Sequence, residues 1–500
     1  MPFLERRQIL AGSLTLPLAG LLPSAPVAAV EPRQLRLRPT VHTGAERWTL
    51  VERMAHGGVP GAAIAILRGG RVDSAAGYGV RIAGQATPVG PDTLFSVGSV
   101  SKIATAALCL KLVALGRLDL DQNVDRWLKR WRAPAGPVGD SGAITLRMLL
   151  SHTAGFNVHG FEDIAPGAPM PTLIQTLGGE APALNKPLAR IDAAGTRSRY
   201  SGGGYMIVQA VIEDALGTPF AAAAQRHLFA PLGMERSRFD AAPAADTADI
   251  AHAHDGGGKP VALPRGWQSF PELAASGLWT SANDLARLVL ALGASYRAPG
   301  GYLPQELAVD MMTLVTPGPF GLGLRLAGEG AAHIFHHAGA NDSYKAYIEG
   351  NLATGDGLVI LTNGANGDVL GDEIRNAVSD ALAWPGDWSV RTGPIAEAGL
   401  SGNFIGSYKR RADQDPKLAG LLDTSFSAES LEIVRSAEGL QMTAKGRSRA
   451  LVAVTSNRFV VPDAYIPAGT LQLAFDRGAD RRVQGLTVFG GGGVLFFDRA

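Results

Sequence analysis

Apolar positions along this chain follow two different periods. Gly61-Ala62-Ala63-Ile64-Ala65-Ile66-Leu67 is an unbroken apolar run closed by Arg68-Gly69-Gly70-Arg71, the pattern of a buried strand and a hairpin turn, with Val72 to Tyr78 available as the returning strand. Helical spacing takes over from about Ser99 to Leu115, where Gly116 marks a stop. It returns at Val124 to Leu128, Leu146 to Ser151, Gly204 to Leu216 and residues 283 to 294. Strand patterns resume at Tyr344 to Glu349 and Gly357 to Thr362, and Asp372 to Trp384 predicts a closing helix. Strands from both ends of this region can pair into one antiparallel sheet with helices packed on it and a helical subdomain between, an α+β layered fold.

Beyond about residue 400 the period shortens. Leu431 to Val434, Leu440 to Thr443, Leu451 to Val454, Phe459 to Val461, Leu471 to Phe475, Leu486 to Phe489 and Val494 to Phe497 are short segments separated by turn residues. Their regular spacing predicts a small C-terminal antiparallel β-barrel. The predicted organisation is an export signal over 1–29, a linker over 30–45, an α+β domain over 46–393 and the barrel over 394–500, with the boundary near Pro394 and Leu400 to Tyr408 opening the barrel.

Arg6-Arg7 precedes an apolar stretch to Leu22 and the small residues Val27-Ala28-Ala29, which together form a secretory-signal pattern. The arginine pair is similar to a twin-arginine signal, although Glu5 and Ile9 depart from its usual residues. A periplasmic or extracellular location is therefore expected. No later apolar run is long enough for a membrane helix, so the mature chain is expected to have no stable membrane span. A formal net charge of +1 gives no electrostatic footprint for nucleic acid. The single cysteine, Cys109, excludes an intramolecular disulfide and lies in an apolar run, as a buried small hydrophobe would.

The candidate chemistry begins at Ser99-Val100-Ser101-Lys102. On a helix, positions i and i+3 share a face, so Lys102 can reach the Ser99 hydroxyl. A serine needs a base to become a nucleophile, and a helix N-terminus favours developing negative charge. Tyr200, ahead of the glycine-rich turn Gly202-Gly203-Gly204, is a candidate proton shuttle. Phe335-His336-His337-Ala338-Gly339-Ala340 precedes an apolar strand, and Gly339 would allow close approach of backbone and substrate. Each segment alone also has an ordinary structural reading: a capping serine, a packing tyrosine, a strand-edge histidine pair.

Together, and in this order, the three segments resemble the signature motifs of the serine β-lactamase and penicillin-binding-protein superfamily. The resemblance is to its branch of class C β-lactamases, D-alanyl-D-alanine carboxypeptidases, D-aminopeptidases and related esterases. Leu149-Leu150-Ser151-His152-Thr153-Ala154-Gly155, Pro231-Leu232-Gly233-Met234 and Ala275 to Ala286 add further similarity, and the likeness spans about residues 50 to 385. It implies Ser99 as nucleophile, Lys102 and Tyr200 as proton-handling partners, His337 at the substrate-facing strand position, and oxyanion N–H groups from Ser99 and Ala340 beside Gly339. How Lys102 and Tyr200 divide the acylation work is left open by the resemblance.

Two positions depart from the family pattern. Gly202 stands in place of the asparagine of Tyr-x-Asn, and His337-Ala338 in place of the Lys-Thr of Lys-Thr-Gly. A side-chain amide, a permanent cation and a hydroxyl are thereby lost, which weakens the expectation of efficient β-lactam or D-alanyl-D-alanine recognition and favours an ester, amide or other D-amino-acid-containing peptide as substrate. The rival expectation is a non-catalytic sensor or scaffold that binds penicillin or cell-wall peptides.

No cofactor and no metal are expected. His252-x-His254-Asp255 has ligand-like residue types but lies beside Gly256-Gly257-Gly258, as a solvated turn would. Gly490 to Gly493 reads as a turn between strands. The barrel resembles the lipocalin-like modules of some relatives. The expected partner is a small-molecule or peptide substrate, and the oligomeric state is left open.

Overall fold

The structure, a computed structural model, describes residues 29–137, 142–165, 167–386, 388–393, 402–414, 418, 422, 426, 428–437, 439–466, 469–480, 482–491 and 493–500. The expected export segment, but for its last residue, and the boundary at Pro394 fall outside these residues. So does Leu400.

Six strands form the central sheet: β1 (Gly61–Arg68), β2 (Arg71–Gly79), β3 (Arg325–Ala327), β4 (Ile334–Ala340), β5 (Lys345–Asn351) and β6 (Gly357–Thr362). Their order is β2-β1-β6-β5-β4-β3, antiparallel throughout. Strands from the two ends of the region therefore meet at the β1–β6 pair, Ile64 opposite Ile360. Gly69 and Gly70 make the β1–β2 turn in left-handed conformations, φ 57° and 80°, as a tight hairpin requires.

The apolar run of β1 is explained by burial on both faces. Ala63, Ala65 and Leu67 face one core with helix α1 (Ala282–Arg297), through Leu285, Leu288 and Leu292. Ala62, Ile64 and Ile66 face a second core with Leu370, Ile374 and Val378 of helix α2 (Gly367–Leu382). Alternation of strand side chains makes a two-sided strand read as continuous hydrophobe.

Residues 30–45 are not the linker that the sequence suggested. Leu35 and Leu37 are buried in the second core, Leu37 exchanges both backbone hydrogen bonds with Trp48, and Val41–His42 pairs in parallel with Val390–Arg391. The Arg38 guanidinium adds a two-pronged ion pair to Asp380. Between the terminal strands lies a helical block. Its centre is two helices buried almost all round, Ser101–Ala114 and Gly202–Leu216, the pattern expected of interior helices.

Among the described residues the C-terminal part forms a nine-stranded antiparallel sheet with a core of its own, in which Phe404, Phe459 and Phe475 pack together. The two end strands in its order, Arg447–Ala450 and Val452–Ala453, are separated in the chain by Leu451 alone. A single run thus changes partners at Leu451 and brings the sheet round to a near-barrel. Arg447–Ala450 carries no apolar alternation and was missed by the sequence pattern. Among the described residues no single helix is long and apolar enough to cross a membrane.

Candidate active site

Ser99 does not open an α-helix. It sits in a 3-10 turn, Gly98–Val100, and the α-helix begins at Ser101. Gly98 is left-handed, φ 47°, and the turn it makes presents the Ser99 side chain to a cleft. Strand β4 passes directly over this turn. A Cβ on Gly339 would lie 1.9 Å from the Val97 carbonyl oxygen, and one on Gly98 would lie 2.8 Å from the Ala340 nitrogen. Two glycines therefore set the spacing between the serine turn and the strand.

Lys102 keeps its i+3 relation to Ser99. Its Nζ lies 3.0 Å from Ser99 Oγ and 2.9 Å from the Ala275 carbonyl oxygen, and the residue is 2% exposed. Ala275 belongs to a short segment tied to the same helix by two more bonds. Thr105 Oγ1 donates to the Ala274 carbonyl, and the Leu278 N–H donates to Ser101 Oγ. The lysine is thus held by a fixed acceptor against the nucleophile. Tyr200 and Tyr205 offer their ring faces to Nζ at 5.0 Å and 5.5 Å.

Tyr200 precedes the Ser201 cap of the Gly202–Leu216 helix. Ser201 Oγ accepts from the Gly204 N–H and donates to the Val158 carbonyl. Its own N–H donates to His152 Nδ1 at 3.1 Å, and the His152 ring lies 4.2 Å from that of Tyr200. Burial pushes the His152 imidazole well below its ordinary pKa, and the charges of Lys102 and Arg325 add to this. A neutral His152 with an accepting Nδ1 follows. For Tyr200, burial by itself would raise the phenol. The positive charges of Lys102 and Arg325 and hydrogen bonding with Ser99 and Lys102 outweigh it, and the pKa falls below its ordinary value.

Ser99, Lys102 and Tyr200, about a hundred residues apart in sequence at the extremes, are therefore brought together. Gly339 and Ala340 line a cleft with Ser99 and Tyr200. His337 is placed differently. Strand alternation sends His336 to the face of Tyr347 and Trp388, and His337 to the face of Tyr200, 6.4 Å between ring centres. His337 is 1% exposed, its Nδ1 is 2.6 Å from the Ala338 carbonyl oxygen, and burial with Arg325 and Lys102 holds its pKa well below the ordinary value. It is a neutral packing partner of Tyr200, and Ala338, Gly339 and Ala340 form the wall.

Two clefts, of about 500 Å³ and 520 Å³, meet at Ser99 and Tyr200. The first carries Arg325, whose guanidinium carbon lies 5.7 Å from the centre of the Tyr200 ring. The second is lined by Asp163, Glu272 and Asp342 as well as Lys102. Arg325, Asp163 and Glu272 belong to no motif in the sequence, and only strand pairing and loop packing bring them here. The histidines of the His252–Asp255 segment serve the fold: His254 Nε2 accepts from the Ala83 N–H, and Nδ1 lies 2.9 Å from the Asn363 carbonyl oxygen.

A family model described as Beta-lactamase matches residues 48–383. The chain is 31% identical over 248 residues to the esterase EstB of Burkholderia gladioli, covering 44% of this chain and 61% of that protein. It is 29% identical over 235 residues to a beta-lactamase of Lysobacter lactamgenus, covering 46% and 55%. The chain thus spans less than two thirds of the length of either relative. An octameric penicillin-binding protein homologue from Pyrococcus abyssi shares the fold at TM-score 0.56 and 20% identity, over 89% of this chain and 98% of that one.

Proposed function

The chain belongs to the beta-lactamase and penicillin-binding-protein superfamily, in its class C-like branch with esterase and carboxypeptidase relatives, and from that membership we propose a serine hydrolase that works through an acyl-enzyme on Ser99. The observation that carries the reading is the 3.0 Å contact between buried Lys102 Nζ and Ser99 Oγ. A buried lysine costs stability and needs a reason, and activation of the neighbouring hydroxyl supplies one.

On this reading Lys102 and an ionisable Tyr200 relay the serine proton. Ser99 Oγ attacks a carbonyl carbon, and its proton passes through the pair to the leaving group. The backbone N–H groups of Ser99 and Ala340 receive the oxyanion, a role favoured by the close passage of the strand over the serine turn, where a Cβ on Gly98 would lie 2.8 Å from the Ala340 nitrogen. Water then cleaves the acyl-enzyme, with the same pair accepting its proton. The substrates are esters, amides or D-amino-acid peptides, with weak β-lactam turnover. A neutral His337 cannot act as a permanent cation for a carboxylate, and Arg325 supplies charge from a neighbouring strand instead. The paired arginines and apolar start support an exported enzyme.

The test is parallel turnover of nitrocefin, a p-nitrophenyl short-chain ester and D-alanine p-nitroanilide, with Ser99→Ala as control and intact-mass detection of the acyl adduct. Turnover of one substrate that Ser99→Ala abolishes supports the hydrolase. No turnover and no adduct on any of them favours the binding-protein alternative.

A further inference from the structure

The cleft that runs from Ser99 toward residues 161–163 is acidic. Glu162, Asp163, Glu272 and Asp342 line it, and Lys102 is the lining residue of opposite charge among the described residues. Acidic lining alone is common, but Glu272 is unusual. It is 4% exposed, it lines the cleft, and its Oε2 has no hydrogen-bond partner among the described residues. A buried carboxylate oxygen without a donor is costly, and each such atom in a folded protein calls for a partner.

The partner must donate a hydrogen bond, because the unmet need is for a donor, and it must be cationic, because the surrounding side chains are acidic. A quaternary ammonium lacks the first property and a neutral amide the second. We propose that this cleft is a subsite for a protonated amine on the substrate, with Glu272 as its hydrogen-bonded anchor and Asp163 as a second acidic neighbour. The inference rests on the hydrolase reading and narrows its substrate class to esters or amides that bear a primary or secondary amine close to the reacting carbonyl. Burial first, and Asp163 in addition, push the Glu272 carboxyl up to about 7 against the lowering influence of a backbone hydrogen bond and Lys102. Asp163 is likewise pushed up to about 7, by burial and by Asp342. An entering ammonium would favour the ionised form of both.

The experiment measures binding to the Ser99→Ala protein, so that it does not depend on turnover. Glycine benzyl ester and its N-acetyl counterpart are titrated calorimetrically at neutral pH. The free amine is expected to bind about tenfold tighter or better, the worth of a charge-assisted hydrogen bond. Adding Glu272→Gln is expected to bring the two affinities within about threefold, and Asp163→Asn to reduce the ratio in part. Should Glu272→Gln fail to fold, the Asp163→Asn protein carries the test. Equal binding of the two esters, or a preference that survives both substitutions, overturns the amine subsite. Turnover of either ester by the unmodified chain is followed separately. Amine preference without any turnover leaves the subsite standing and removes the hydrolase reading. Ser99-dependent turnover without amine preference does the reverse.

Discussion

The Arg325 guanidinium carbon lies 5.7 Å from the centre of the Tyr200 ring. The two residues come from different layers of the fold, strand β3 and the turn before the Gly202–Leu216 helix, and Arg325 is one of two cations that hold the phenol below its ordinary pKa. If ionised Tyr200 takes part in catalysis, activity rises with pH through that pKa. Removing a cation raises the pKa, so Arg325→Gln should move the acidic limb of the kcat/KM profile to higher pH and lower activity at neutral pH several-fold. An acidic limb that stays in place after the substitution would rule out control by Tyr200 ionisation.

Ser99 and Lys102 should behave as one unit. Ser99→Ala and Lys102→Met are each expected to lower kcat by about 10³-fold or more, and the double variant to be no worse than the weaker single one. Lys102→Met should also leave the protein as stable as before or more so, because it removes a buried charge while keeping the volume. Thermal unfolding beside steady-state kinetics decides this. Additive losses in kcat, or a marked drop in melting temperature, would count against the pairing.

Gly339→Ala tests the approach of strand to serine turn. The new methyl group would lie 1.9 Å from the Val97 carbonyl oxygen, so the strand must move away from Ser99. Overpacking of this kind costs about 1–3 kcal/mol. A displacement of about 1 Å in the reacting groups lowers kcat by about 100-fold. Near-normal kcat in a folded Gly339→Ala protein would show that the strand plays no part in positioning the serine.

Leu37→Ala should destabilise the protein by about 2–5 kcal/mol, since Leu37 is fully buried against the central sheet. Val51→Ala, at a residue 66% exposed, serves as the control and should change stability by less than about 0.5 kcal/mol. Equal behaviour of the two variants in denaturant unfolding would return residues 30–45 to the status of a linker.

Much of the fold could be read from local pattern. The Gly61 run, the helical spacing of residues 283–294 and the short alternating segments after 430 lie within strand β1, helix α1 and the near-barrel sheet, except that Leu451 to Val454 meets the sheet only at Val452–Ala453. Errors fell where the local signal was weak. Leu35 and Leu37 are two apolar residues in a polar stretch, fixed by a core assembled from distant segments, and Arg447–Ala450 has no apolar face and is held as the returning strand of a hairpin with Gln441–Ala444. The α-helix expected from Ser99 begins at Ser101, because a left-handed Gly98 makes a tight turn first.

The site divides in the same way. The i, i+3 spacing of Ser99 and Lys102 is a property of the chain itself, and any helical path through it keeps the two side chains on one face. Family motifs added Tyr200, Gly339 and Ala340 as candidates in the right order. The burial of His337 on the inner face of strand β4, the cation over Tyr200 and the unpartnered carboxylate oxygen of Glu272 were decided by tertiary structure. Each depends on which strands pair and which loops pack together, and that follows from the free energy of the whole core rather than from any local run of residues.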